Sequence, residues 1–225
     1  MKTLQKSGGI AALYMAISHL IGFVIFIVVL NYLNITDPAQ KLALNVDKQP
    51  VVFSTNLLMY VIFGFALIVL SLALYDRLKS GAPALMQVAT AIGLIWAGSL
   101  IASGMAANAG LEAIVPLYAK DPTQAVFAFQ AIEAITNGLG NANGEILGGP
   151  LTLLVSLAAL RTGRLPKALN VLGVLVGAVG IITIIPALNT LVAVFGLGQI
   201  VWFVWLGIVL LRGDPQGELF SAAEI

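Results

Sequence analysis

Six long hydrophobic stretches alternate with short polar segments along this chain. A membrane-crossing α-helix needs about 20 predominantly apolar residues, and most of the stretches reach that length. The predicted spans are residues 9–33, 51–75, 84–107, 145–160, 166–187 and 190–211. The pattern predicts an all-α fold, a polytopic membrane helical bundle of six transmembrane helices plus an outer amphipathic helical segment. We expect residues 1–225 to form a single transmembrane domain.

The first span is preceded by Lys2 and Lys6, as a signal peptide would be. Its apolar region is longer than the roughly 7–15 residues of a signal-peptide core, and no A-x-A-like cleavage site follows it. We therefore expect this segment to be retained as a membrane anchor.

Two polar segments are expected to be connections between spans. Residues 34–50 carry a predicted turn at Thr36-Asp37-Pro38, and residues 108–122 contain Pro116 and Asp121-Pro122. Proline and aspartate in such clusters are typical of turns and loops.

Residues 123–143 are apolar in part but carry many polar side chains. At 100° per residue, five of these polar side chains would fall within about 80° of the helix circumference and form a polar stripe. The stripe consists of Thr123, Gln130, Glu133, Asn137 and Asn141. This face would either point to water, as in an ordinary amphipathic helix, or form the wall of a cavity at the outer mouth of the bundle.

The basic residues between the spans indicate an orientation, because Lys and Arg accumulate in cytoplasmic loops. With six spans, eight basic residues fall on one side and three on the other. The first group is Lys2, Lys6, Arg77, Lys79, Arg161, Arg164, Lys167 and Arg212, and the second is Lys41, Lys48 and Lys120. This split predicts that both termini lie in the cytoplasm. We expect the membrane to be the bacterial inner (plasma) membrane.

The composition agrees with a membrane protein. Hydrophobic residues make up 60% of the 225 residues and charged residues 9%, whereas soluble domains carry about 25% charged residues. The net charge is +1, which argues against a nucleic-acid partner. The absence of cysteine excludes disulfides and iron–sulfur ligation, and a single histidine excludes a multi-histidine metal site. The sequence predicts no cofactor and no catalytic motif.

Several polar side chains interrupt the predicted spans or stand at their outer ends. His19 and Gln199 lie near the midpoints of their spans, where an unpaired polar group is costly. Such groups form interhelical hydrogen bonds or line a ligand or proton-linked site. His19 as a haem ligand would need a methionine or another chain as the second ligand. The predicted ligand-binding residues are His19, Asn56, Ser99, Ser103, Glu133, Glu145 and Gln199.

Small residues recur at four-residue spacing in three rows. The rows are Gly140, Gly144 and Gly148; Gly173 and Gly177; and Ala89, Gly93 and Ala97. Such rows let helix backbones approach closely in a membrane. They predict close helix packing, with dimerisation or a hinge as the alternative.

The order of these features resembles a bacterial family of uncharacterised six-span integral membrane proteins, classed as a domain of unknown function. The matching features are Asp37-Pro38 ahead of two spans, the outer segment before Gly149-Pro150-Leu151, and Arg164-Leu165-Pro166-Lys167 opening a glycine-rich span. The resemblance implies an integral membrane protein and assigns no activity and no site residues.

Three functions are compatible with these observations. The first is a non-enzymatic protein that binds or passes a small, largely apolar molecule through a pocket open to the outer side. The second is an accessory or structural subunit of a membrane complex, and the third an intramembrane enzyme that modifies lipid. The expected partners are membrane lipid, a small apolar ligand, and further copies of the chain or subunits of a complex.

Overall fold

The computed structural model describes residues 2–140 and 145–213. Every regular element in these ranges is helical, and no strand occurs in them. The predicted all-α fold class is therefore confirmed. Three predicted features lie outside the described residues: Asn141 and Asn143 of the polar segment, Gly144 of the first glycine row, and the tail from residue 214 onward.

Most of the described chain is α-helical. The α-helices are α1 (Lys2–Phe23), α2 (Pro38–Asp47), α3 (Gln49–Asn56), α4 (Phe63–Leu78), α5 (Pro83–Lys120), α6 (Pro122–Leu139), α7 (Gly148–Thr162), α8 (Lys167–Ile182) and α9 (Val192–Arg212). A π-helical turn, Val24–Val29, follows α1, and another, Leu57–Ile62, joins α3 to α4. Two 3₁₀ segments cover Tyr32–Asn34 and Pro186–Leu191.

Four helical stretches are long and apolar enough to cross a membrane. They are Thr3–Val29, Gln49–Leu78, Pro83–Lys120 and Pro186–Arg212. The fourth and fifth predicted spans correspond to α7 and α8, with 15 and 16 residues. Helices of that length rise about 23–24 Å, less than the roughly 30 Å hydrocarbon core. The four long helices are those of a membrane protein, and the count of six spans stays a prediction.

The expected connection over residues 108–122 is wrong, because α5 continues without interruption to Lys120. Asn108, Leu111 and Ile114 are buried at helical spacing, so packing favours the helix through this region. Pro116 lies inside the helix and is exposed. Proline has no backbone N–H, so one hydrogen bond of the helix is missing at this position.

The segment 34–50, which was expected to be a connection, also contains the helix α2. The Asp37 carboxylate accepts a hydrogen bond from the Ala39 backbone N–H at 3.1 Å, and Pro38 occupies the first helical turn. An aspartate cap followed by proline is a helix-start signal. The predicted turn at Thr36-Asp37-Pro38 is therefore the beginning of a helix, and the helix buries Leu42 and Asn45.

The predicted outer segment at 123–143 is helical up to Leu139, as part of α6. Asp121 caps this helix by accepting a hydrogen bond from the Gln124 backbone N–H at 3.0 Å. Residues 145–147 are not helical, so α6 and α7 are separate helices. Phe127 and Ile135 are more than 60% exposed, so the exposed surface of α6 contains apolar as well as polar side chains.

The described chain divides into two compact units. The first contains residues 2–16, Ala66–Ile95 and residues 145–213, and the second contains Ile17–Phe65 and residues 96–140. The core of the second unit includes Leu42 from α2, Ile114 from α5, and Ala125 and Phe129 from α6.

Two glycines in the first unit lie where the backbones of neighbouring helices are in close contact. A Cβ atom added to Gly177 of α8 would lie 2.6 Å from the Leu153 backbone nitrogen of α7. One added to Gly149 of α7 would lie 2.7 Å from the backbone nitrogen of Ile181. Only glycine permits this approach, so the Gly173–Gly177 row packs α8 against α7, as the four-residue spacing predicts.

Replacing Gly177 with alanine should destabilise the protein, because the added methyl group would overlap the α7 backbone. Overpacking of this kind costs about 1–3 kcal/mol. We expect a lower thermal unfolding temperature in detergent.

The matched control is Gly98→Ala in α5, where an added Cβ atom meets nothing within 4 Å. This variant should unfold at the wild-type temperature or slightly above it, since alanine favours helices over glycine. Equal unfolding temperatures for Gly177→Ala and Gly98→Ala would contradict the close packing of α7 and α8.

Candidate functional site

A cavity of about 120 Å³ lies within the second unit. Its wall combines a polar and an apolar set of side chains. The polar set is Tyr32, Asn45, Asn56, Tyr60, Ser103, Glu133, Thr136 and Asn137, and the apolar set is Phe26, Val52, Ala107, Leu111, Ile114, Phe129 and Ile132. We call this the amide cavity, after its asparagines.

Two lining residues of the amide cavity come from π-helical turns. Phe26 lies in the turn Val24–Val29, and Tyr60 lies in the turn Leu57–Ile62. π-helical turns within α-helices occur frequently at functional sites. Both such turns in the described chain contribute to the wall of this one cavity.

Asn56 of α3 and Asn108 of α5 form a buried amide pair. The Asn56 side-chain amide donates to the Asn108 side-chain oxygen at 2.9 Å. Asn108 in turn donates to the Phe53 backbone carbonyl at 3.2 Å. Each asparagine is only 8% exposed. The pair therefore fixes α3 against α5 and leaves part of the Asn56 amide to face the cavity.

Tyr32 and Asn45 connect the end of the first span to α2. The Tyr32 hydroxyl donates a hydrogen bond to the Asn45 side-chain oxygen, and the Tyr32 ring stacks on Phe26 with ring centres 5.7 Å apart. Tyr32 lies beyond Val29, where the first long apolar stretch ends. Burial raises the pKa of Tyr32 to about 12.

An ion pair joins α2 to α6 at this cavity. The Lys41 ammonium contacts the Glu133 carboxylate and also lies 4.9 Å from the centre of the Tyr32 ring. Both side chains of the pair are 26% exposed. Glu133 is thus a paired carboxylate in the cavity wall.

Two serines of α5 bind the C-terminal end of α6. The Ser103 hydroxyl donates to the Thr136 carbonyl at 2.8 Å, and the Ser99 hydroxyl donates to the Leu139 carbonyl. The last carbonyls of a helix have no partner within the helix. Ser99 supplies such a partner to the Leu139 carbonyl, and Ser103 adds a second donor to the Thr136 carbonyl, which also accepts from the Gly140 backbone N–H at 2.8 Å. Both bonds are of the interhelical kind expected for polar groups in the spans.

Three predicted ligand-binding residues line the amide cavity: Asn56, Ser103 and Glu133. Ser99 is one helical turn from Ser103 but is not part of the wall. His19 also belongs to the second unit, where its ring packs edge-on against Phe63 with ring centres 5.1 Å apart.

The remaining two predicted residues, Glu145 and Gln199, belong to the first unit. The Gln199 amide donates to the Thr152 hydroxyl at 2.8 Å, and that hydroxyl donates to the Gly148 carbonyl at 2.8 Å. The Glu145 backbone N–H donates to the Thr183 hydroxyl at 2.9 Å. The structure thus divides the predicted set between the two units.

The sequence analysis selected half of the amide cavity's polar wall, with Asn56, Ser103 and Glu133 as ligand-binding residues and Asn137 in the polar stripe. Tyr32 stood at a span end, and Asn45 fell in a segment expected to be a connection, as did Asn108, which bonds the wall residue Asn56. Asp37-Pro38 is the signal that could have placed Asn45 on a helix. In the ranges that the structure describes, no group of three or more His, Asp or Glu side chains is placed to hold a metal ion.

One family matches the sequence over most of its length. The family described as "Domain of unknown function (DUF4386)" matches residues 8–210. No curated protein and no solved structure matches the chain.

The buried amide pair makes a prediction about stability. Replacing Asn108 with leucine should lower the free energy of unfolding by about 1–3 kcal/mol, because the Asn56 amide would lose its buried acceptor. Leucine at both positions should cost less than the sum of the two single changes. Unfolding of the four proteins in mixed detergent measures this coupling, and strictly additive effects would contradict the pair.

Proposed function

The chain belongs to the family described as a domain of unknown function, DUF4386, and we propose that it is a membrane protein that binds a small, largely apolar molecule in the amide cavity. The observation that carries this proposal is the mixed wall of the cavity. Binding sites for small molecules are mostly apolar, with a few polar groups that fix orientation. The amide cavity contains both kinds of side chain, with seven apolar and eight polar residues in its wall.

The size of the cavity limits the ligand. About 120 Å³ is well below the roughly 300–1,000 Å³ of sites for drug-sized molecules. The apolar wall, including Phe26, Leu111 and Phe129, favours a small hydrocarbon or aromatic body. The amide of Asn56 and the nearby hydroxyls favour one hydrogen-bonding group on that body.

The predicted topology indicates the side of the membrane to which the pocket would open. The residues of α2 and α6 follow the ends of the first and third spans, which the basic residues predict to be outer ends. The proposed pocket would therefore open to the outer side of the membrane, with both termini in the cytoplasm. The Lys41–Glu133 ion pair would lie at its rim.

The other two functions lack a favouring observation of this kind. Of the small-residue rows that motivated an accessory subunit, the Gly173–Gly177 row contacts α7 of its own unit. Of the three residues that could act as an acid or base on lipid, Glu133, Glu145 and His19, Glu133 is held in an ion pair with Lys41. We therefore propose ligand binding alone.

Native mass spectrometry of the full chain, extracted gently from its membrane, tests the proposal. We expect a discrete small molecule on the wild-type protein. Its occupancy should fall about tenfold in Asn56→Ala and in Ser103→Ala, since each change removes a polar group from the wall.

The matched control is Ser71→Ala, which alters a buried serine of α4 in the first unit. It should retain the molecule, as should Gln199→Ala. A bare wild-type chain, or equal loss of the molecule in Ser71→Ala and Ser103→Ala, would overturn the proposal.

A further inference from the structure

A second, open cavity of about 730 Å³ lies within the first unit, at the ends of α4, α7, α8 and α9. Four of its lining residues are basic: Arg77, Arg164, Lys167 and Arg212. None of the lining residues that the structure describes is Asp or Glu. We call it the basic cavity. The positive charge of its lining favours the binding of an anion.

The loop between α7 and α8 is held in place by side chains of the same unit. Arg77 is 7% exposed and donates two hydrogen bonds to the Arg164 carbonyl, at 3.2 and 2.9 Å. The Asn170 amide donates to the Leu165 carbonyl at 3.1 Å. Gly163 ends α7 in the left-handed region with φ of 65°. These contacts hold the loop in one conformation, so it forms a defined wall of the cavity.

Three cationic side chains that line the basic cavity are accessible from outside it. Arg164, Lys167 and Arg212 are all exposed. One guanidinium nitrogen of Arg164 is 3.4 Å from the Arg77 carbonyl, which leaves other N–H donors of that group for a ligand. Lys167 is the first residue of α8, where the helix dipole adds positive charge.

The basic cavity also has an apolar side. Ala159, Leu160, Leu165, Pro166 and Val209 complete much of its lining. Leu160 is 38% exposed. Cations beside exposed apolar side chains at helix ends match the boundary between a phospholipid's phosphate and its acyl chains. A free phosphate ion would make no use of the apolar side.

We propose that the basic cavity binds the phosphate group of an anionic phospholipid, with Arg164, Lys167 and Arg212 as its contacts. Guanidinium groups bind phosphate oxygens in pairs, and the ammonium group adds a point charge. Arg77 acts as a positioning residue because its hydrogen bonds hold the loop that carries Arg164 and Lys167. This site is separate from the proposed small-molecule pocket and does not depend on it.

The full chain in a neutral detergent tests this site by native mass spectrometry with added lipid. Phosphatidylglycerol should bind about tenfold more tightly than phosphatidylcholine, which has the same phosphate but no net charge. The double variant Arg164→Gln/Lys167→Gln should bind both lipids equally. Circular dichroism and thermal unfolding confirm that the variant is folded.

The matched control, Lys79→Gln/Arg161→Gln, removes the same amount of charge from residues that do not line the cavity. It should keep the preference for phosphatidylglycerol. Equal binding of the two lipids by the wild-type chain would overturn the proposal, as would equal loss of preference in both double variants.

Inorganic phosphate distinguishes the two sources of a phosphate group. At the same concentration it should raise the unfolding temperature less than phosphatidylglycerol does. An equal rise would show that the apolar side of the cavity contributes nothing, and would overturn the assignment to a lipid.

Discussion

A polar group buried among apolar helices costs free energy unless it forms a hydrogen bond, and this cost accounts for several of the contacts between helices. Asn56 pairs with Asn108, Gln199 with Thr152, and Ser103 with a carbonyl of α6. Among apolar side chains, each pairing has few alternatives. The polar side chains therefore specify which helices face each other within a unit, which a uniformly apolar surface would leave undetermined.

Helical periodicity and length allowed the fold class and the long spans to be predicted, since both are local properties of the sequence. The extension of α5 past Pro116 was missed because proline is a strong local signal for an end. Burial of Leu111 and Ile114 overrides that signal, and burial is known only from packing. The same limit hid α2, whose start was interpreted as a turn.

The candidate site was only partly predictable for a related reason. Asn56, Ser103 and Glu133 could be selected because they are polar groups in or next to apolar segments. Which of the seven candidates share a cavity depends on helix rotation and on long-range contacts. Sequence spacing does not fix those, so Gln199 and Glu145 were grouped with residues of another unit.

The two π-helical turns affect how this chain tolerates changes in length. Such a turn accommodates one residue more than an α-helical turn does. Deleting one residue within Leu57–Ile62 would leave enough chain for an ordinary α-helix, so the helix itself would survive. The residues on the two sides of this deletion would stay on nearly the same helical faces, whereas a deletion within a regular α-helical stretch would rotate them by about 100° relative to one another. Losing one residue in this turn would therefore preserve the helix and change mainly what the turn itself presents to the amide cavity, which is the side chain of Tyr60.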